Sequence, residues 1–182
     1  MIYLAAVTGV RRGELCAVRR TAIDWDRKTL RVDRSIFKEA GQKVEGPTKN
    51  RRRRTIAVDD RSLTIFRSHI ETVDGWAISV GAEAPHDAYV FTDSPIGTEP
   101  WDPDMITQFF RRLRVRLGLE HIDFHSLRRF MDTYGQELGF SLAQVAVRAG
   151  HDPAVASRHY TGRVEEVDRA LAKAMSDLLA GD

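Results

Sequence analysis

Apolar positions recur along the chain with two different periods, and the switches between them separate helical from extended stretches. Residues 1–7 are almost wholly apolar and read as a buried helix, broken by Thr8-Gly9. A second helix is expected from about Arg11 to Val18. Alternation at Thr29-Leu30-Arg31-Val32, from Arg34 to Lys38 and again at Thr55-Ile56-Ala57-Val58 predicts three strands, with Ala40-Gly41-Gln42 as a hairpin turn. Helix is expected from about 60 to 82, with Asp59 or Asp60 as its cap. A loop rich in proline follows and carries a strand-like Tyr89-Val90-Phe91. Beyond it the period is helical: Ile106, Phe109, Phe110, Leu113 and Leu117 form one apolar stripe, with the arginines at 111, 112, 114 and 116 largely off it. Leu127, Phe130, Met131, Tyr134 and Leu138 repeat the pattern, which assigns Tyr134 to the core. Ser141 caps a short helix ending near Ala149-Gly150, and Pro153 opens another that leads to Tyr160. Val164, Val167, Leu171, Met175 and Leu178 make a last amphipathic helix. The class predicted is mainly α with a small antiparallel β-sheet, an α+β fold in a single domain over residues 1–182.

Composition narrows this picture only a little. With 28 Lys and Arg against 26 Asp and Glu, the net charge of +2 would not announce a nucleic-acid partner. Distribution says more than the sum. Lys49 to Arg54 is a concentrated basic run containing Arg51, Arg52, Arg53 and Arg54, and four arginines crowd residues 111–116. Such clusters are either solvated faces or the footprint of a phosphate-binding surface. Cys16 is the only cysteine, so no intrachain disulfide can form, and a reducing cytosol is expected. No apolar run approaches the roughly 20 residues needed to span a bilayer, and no metal-ligand cluster is visible.

Against that background a few polar residues stand out for their spacing. Arg11 follows the Thr8-Gly9 break, with Glu14 three residues on and on the same helical face. His125 and Arg128 are also three apart, near a helix start whose free N–H groups favour an anion. His151 follows Gly150, and Tyr160 comes nine residues later. Guanidinium forks grip phosphate oxygens, imidazoles move protons, and a phenol can attack phosphorus. Each residue also has a plain structural reading, as a surface ion pair, a helix cap or half-buried packing.

Taken in order, Thr8-Gly9-Val10-Arg11-Arg12-Gly13-Glu14-Leu15, His125-Ser126-Leu127-Arg128, Gly150-His151 and Tyr160 resemble the motifs of the tyrosine recombinase (phage integrase) family, in its catalytic domain. Pro47-Thr48-Lys49, the arginine run and Thr55 to Val58 resemble that family's lysine hairpin, except that Ala57-Val58 stands where Pro-Leu is usual. The resemblance implies the tyrosine recombinase catalytic-domain fold and site-specific cleavage and rejoining of double-stranded DNA, for integration or excision. Arg11, Arg128, His125 and His151 would hold the scissile phosphate, with Glu14 supporting Arg11. Tyr160 would be the nucleophile that forms a 3′-phosphotyrosyl link, and Lys49 would protonate the leaving 5′ oxygen. Arg51 to Arg54 would contact DNA. No metal or cofactor is expected.

The resemblance further implies a homotetramer on DNA and a cytoplasmic, nucleoid-associated protein in a prokaryote, with no membrane partner. Only seven residues precede Thr8, so a truncated N-terminus without the family's usual DNA-binding domain is expected. The helix within residues 163–182 would dock on a neighbouring protomer or fold back on its own domain. Two alternatives share the features described: DNA relaxation of the type IB topoisomerase kind, and a DNA-binding relic that no longer cuts.

Overall fold

The computed structural model describes residues 1–49, 51, 53–151 and 164–180, of which 164–167 are described by their backbone alone. Its helices are α1 (Ile2–Thr8), α2 (Arg12–Cys16), α3 (Asp60–Ser79), α4 (Pro103–Arg116), α5 (Phe124–Glu137), α6 (Leu142–Ala149) and α7 (Val164–Ala180). The helix expected between Pro153 and Tyr160 lies outside the described residues. Local chemistry explains most helix starts. Asp59, Asp102, Asp123 and Ser141 each accept a backbone N–H from the first turn of α3, α4, α5 and α6, respectively.

The strands are β1 (Ile23–Asp24), β2 (Thr29–Val32), β3 (Arg34–Glu39), β4 (Gln42–Pro47) and β5 (Arg54–Ala57). One antiparallel sheet has the order β1-β2-β5, and β3 pairs with β4 as a separate hairpin. Its two-residue turn puts Ala40 and Gly41 at φ 48° and 82°, the left-handed geometry that matches strand twist. Two strands escape the sequence pattern. β1 is too short to alternate, and β4 ends in Gly46-Pro47, which reads as a breaker. Tyr89 and Thr92 form only isolated bridges, to Arg19 and Pro100.

Helix α1 is the centre of the packing. Leu4 joins the larger core with Leu15, Leu30, Ile56, Phe66 and Phe91, while Val7 joins a second with Met131, Val145, Leu171 and Met175. Helix α7 therefore lies against its own chain, on α1, α5, α6 and β5. Polar contacts reinforce that seat. The Asp168 carboxylate accepts from the buried Arg148 guanidinium at 2.5 Å and from the backbone N–H of Ala57. Tyr3 donates to Asp59 at 3.2 Å, and its hydroxyl lies 2.9 Å from that of Ser176.

Two expectations about the core need correcting. Tyr134 is partly exposed, stacked on Phe130 with ring centroids 4.4 Å apart, because α5 turns this edge of its stripe outward. The α4 stripe is only partly covered: Phe110 is buried, but Phe109 and Leu117 stay 54 % and 60 % exposed. Met105, Ile106, Phe109 and Phe110 line an apolar groove of about 830 Å³ beside Met1 to Tyr3.

Truncating Leu171, wholly enclosed by α1, α5 and α6 side chains, should test the seat of α7. Leu171→Ala is expected to lower unfolding stability by about 2–5 kcal/mol, read by denaturant titration. A change under about 0.5 kcal/mol would mean that α7 is not packed in this way.

Candidate active site

Four of the expected side chains, Arg11, Lys49, His125 and Arg128, line one open cleft of about 700 Å³. Its walls come from distant parts of the chain: the start of α2, the β3–β4 hairpin with the loop after it, and the start of α5. Gly13 allows the hairpin to approach, since a Cβ there would overlap the carbonyl oxygen of Ile36 and meet the Ser35 hydroxyl at 2.7 Å. On the other wall the Phe110 and Phe124 rings meet edge to face at 5.5 Å, fixing the turn that presents His125.

Arg11 occupies the N-cap position of α2 and is held by Glu14 twice. Its backbone N–H donates to Oε2 at 3.0 Å and its Nη1 to Oε1 at 3.1 Å. Glu14 is buried, yet its carboxyl is held below the usual range. Burial pushes it up, but hydrogen bonds and charge from Arg54, then Arg11, outweigh that. Arg54, expected on the DNA surface, is instead enclosed, with Nη2 2.7 Å from Glu14 Oε2. Arg51 and Arg53 are exposed, Arg51 lines the cleft, and Arg52 lies outside the described residues.

Arg128 is almost fully buried and donates from Nη1 to the carbonyl of Gly9 at 2.6 Å. Burial, followed by the charge of Arg11, lowers its pKa to about 10, which leaves it cationic at neutral pH. Its Nε is buried with no hydrogen-bond partner among the described residues. Its Nη2 lies 3.4 and 3.3 Å from Nδ1 and Nε2 of His151. Gly150, in the left-handed conformation at φ 70°, turns the chain out of α6 to place that histidine.

The sequence reading missed Asp132. Its Oδ2 stands 3.0 Å from His151 Nε2 and orients the imidazole. One signal was available, since Asp132 lies four residues after Arg128 on the same face of α5. Among the described residues no tyrosine lines the cleft. Tyr3 is held by Asp59 and Ser176. Tyr89 is buried beside Glu45 and Arg19, its pKa pushed up to about 12 by burial first and then by Glu45. Tyr160 lies outside the described residues. The described residues also contain no His, Cys, Asp and Glu group able to hold a metal ion, and no helix long and apolar enough to cross a membrane.

The model of the phage integrase family matches residues 1–166. The chain is 27 % identical over 179 residues to the integrase of Mycobacterium phage L5, covering 97 % of this chain and 46 % of that protein. It is 25 % identical over 192 residues to a tyrosine recombinase XerC-like protein of Caldanaerobacter subterraneus, covering 98 % and 49 %. The chain thus spans about half the length of the curated relatives it matches. The fold matches the Tn1549 transposon integrase solved with transposon right end DNA, at a TM-score of 0.69, 17 % identity and 99 % and 58 % coverage. It also matches XerA recombinase at 0.60, with 18 % identity and 94 % and 55 % coverage.

The cleft makes a prediction about His125. Partial burial, then the charges of Arg128 and Arg129, hold its imidazole below the ordinary value of 6.5. It should remain neutral at neutral pH and titrate, by NMR, with a midpoint under 6.5. The exposed Arg129→Gln change should raise that midpoint. Because the folded pKa is the lower one, stability from this group is complete above about 6.5 and declines as pH falls through the folded value. A midpoint at or above 6.5 would contradict the described surroundings.

Proposed function

The chain belongs to the phage integrase family, and from that premise we propose that its cleft binds a scissile phosphate of duplex DNA for site-specific cutting and rejoining. The observation that carries this reading is the convergence of Arg11, Arg128, His125 and Lys49 on one cleft, with His151 against Arg128. Two fixed guanidiniums and the start of α5 face the position where charge builds on phosphate oxygens. They are held by protein groups before any ligand arrives, so little reorganisation is needed.

In the proposed reaction the Tyr160 phenol attacks phosphorus in line. A bond forms between its oxygen and phosphorus, and the bond to the 5′ oxygen breaks. Neutral His125 takes the phenol proton, and the Lys49 ammonium gives one to the departing 5′ oxygen. Arginine would serve poorly in that last role because it hardly deprotonates. The reverse attack by a 5′-hydroxyl expels tyrosine and reseals the strand, so the link itself conserves the bond energy. Tyr160 is the ninth residue after His151, a reach of at most about 30 Å. That span, and the want of another tyrosine at the cleft among the described residues, supports Tyr160 as nucleophile.

Recombination pairs two duplexes, so the full reaction calls for several copies, in the proposal a homotetramer on DNA. The buried seat of α7 suggests how copies would connect. Docking on a neighbour would place the same apolar face, Leu171 and Met175, into the equivalent groove of the next protomer.

Covalent trapping on a nicked duplex tests the chemistry. The wild-type chain should form an adduct that survives denaturation, and Tyr160→Phe should form none. Lys49→Ala should slow cleavage about 10²–10⁴-fold. Replacing the leaving 5′ oxygen by sulfur should restore that variant, because a thiolate leaves without a proton. An adduct persisting in Tyr160→Phe would exclude this nucleophile, and no rescue by sulfur would exclude Lys49 as the acid.

A further inference from the structure

Arg51 to Arg54 look interchangeable in the sequence, but the fold separates the last from the others. Arg51 and Arg53 are exposed, whereas the Arg54 side chain keeps only 9 % of its exposure. All three of its guanidinium nitrogens are engaged inside the protein. Nη2 and Nη1 reach the two Glu14 oxygens at 2.7 and 3.4 Å, and Nε donates to the carbonyl of Arg148 at 3.0 Å. The group also carries the turn that delivers His151. A Cβ added at Gly150 would come within 2.7 Å of Arg54 Nη1, 2.9 Å of its Cζ and 3.1 Å of its Nε. Arg11 reaches the same turn from the cleft side, its Nη2 donating to the Gly150 carbonyl at 3.4 Å.

We propose that Arg54 is a positioning residue for the phosphate grip and not a DNA contact: it sets Arg11 through Glu14 and His151 through the Arg148–Gly150 turn. The proposal rests on the cleavage chemistry set out above. A fork is required because one group must span a carboxylate and a carbonyl at once. A lysine ammonium keeps the charge but cannot bridge both. Arg54 is also the first residue of β5.

A phosphate contact and a positioning group differ in their response to salt. Each phosphate contact adds about 0.9 to the slope of log affinity against log salt on duplex DNA. Binding of the chain to a short duplex across a salt series, with single-turnover cleavage at saturating protein, separates the two roles. Arg53→Gln should lower the slope. Arg54→Lys should keep the wild-type slope while slowing cleavage about 10²-fold, the scale of a small misplacement of catalytic groups. A reduced slope in Arg54→Lys, or cleavage at the wild-type rate, would overturn the proposal.

Should Arg54→Lys fold poorly, Glu14→Gln combined with Arg54→Met removes both buried charges together and keeps the site filled. Its cleavage defect should be smaller than the product of the two single defects. A full product would overturn the coupling. Absence of any adduct with the wild-type chain would instead defeat the cleavage reading, and the salt slopes would still decide whether Arg54 touches DNA.

Discussion

The buried carboxylate of Glu14 is the constraint around which the site is arranged. A charge removed from water is costly unless it is paired, and losing one partner of a buried pair typically costs about 3–5 kcal/mol. Glu14 meets that requirement with one local guanidinium, Arg11 at the N-cap of its own helix α2, and one from a remote segment, Arg54 at the start of β5. Neither oxygen can be left without a donor, so the start of β5 must come to the start of α2. Burial here converts a favourable contact into an obligatory one, and the location of Arg11 follows from it.

The hairpin depends on weaker ties of the same kind. Lys38 meets Asp102 and Asp104 at 2.9 and 3.2 Å, Lys43 meets Glu99 at 3.1 Å, and Glu45 meets Arg19 at 2.8 Å. These pairs are partly exposed and individually contribute little. Together they fasten an element whose two strands belong to no larger sheet. The cleft thus has one wall fixed by buried charge and another held by several solvent-screened contacts.

Much of this was legible in the sequence because it is local. The breaks at Thr8-Gly9 and Gly150, the caps at Asp59 and Ser141 and the Ala40-Gly41 turn are written in single residues with specific backbone preferences. Arg11, His125, Arg128 and His151 were recognisable through their resemblance to the family's motifs, since each taken alone also fits an ordinary ion pair or helix cap. The rest is tertiary. Nothing local distinguishes Arg54 from Arg53; only the approach of Glu14 does. Asp132 meets His151 because α5 and α6 pack together, which spacing alone does not state. Phe109 fits the apolar period of α4, yet no described element covers it.

The central place of α1 carries a consequence for how the protein is made. Its residues are closed in by α5 and by α7, and Tyr3 touches Ser176, 173 positions later. A growing chain emerges in sequence order, so α1 must wait, apolar and uncovered, for the α5 and α7 segments that follow it. Contacts of such long range make folding slow relative to local structure. Arg128 reaches back to the carbonyl of Gly9, at the foot of that helix, and so cannot take its final position until α1 is seated. On the ribosome the cleft would form late and nearly all at once, so a nascent chain would hold no half-built site.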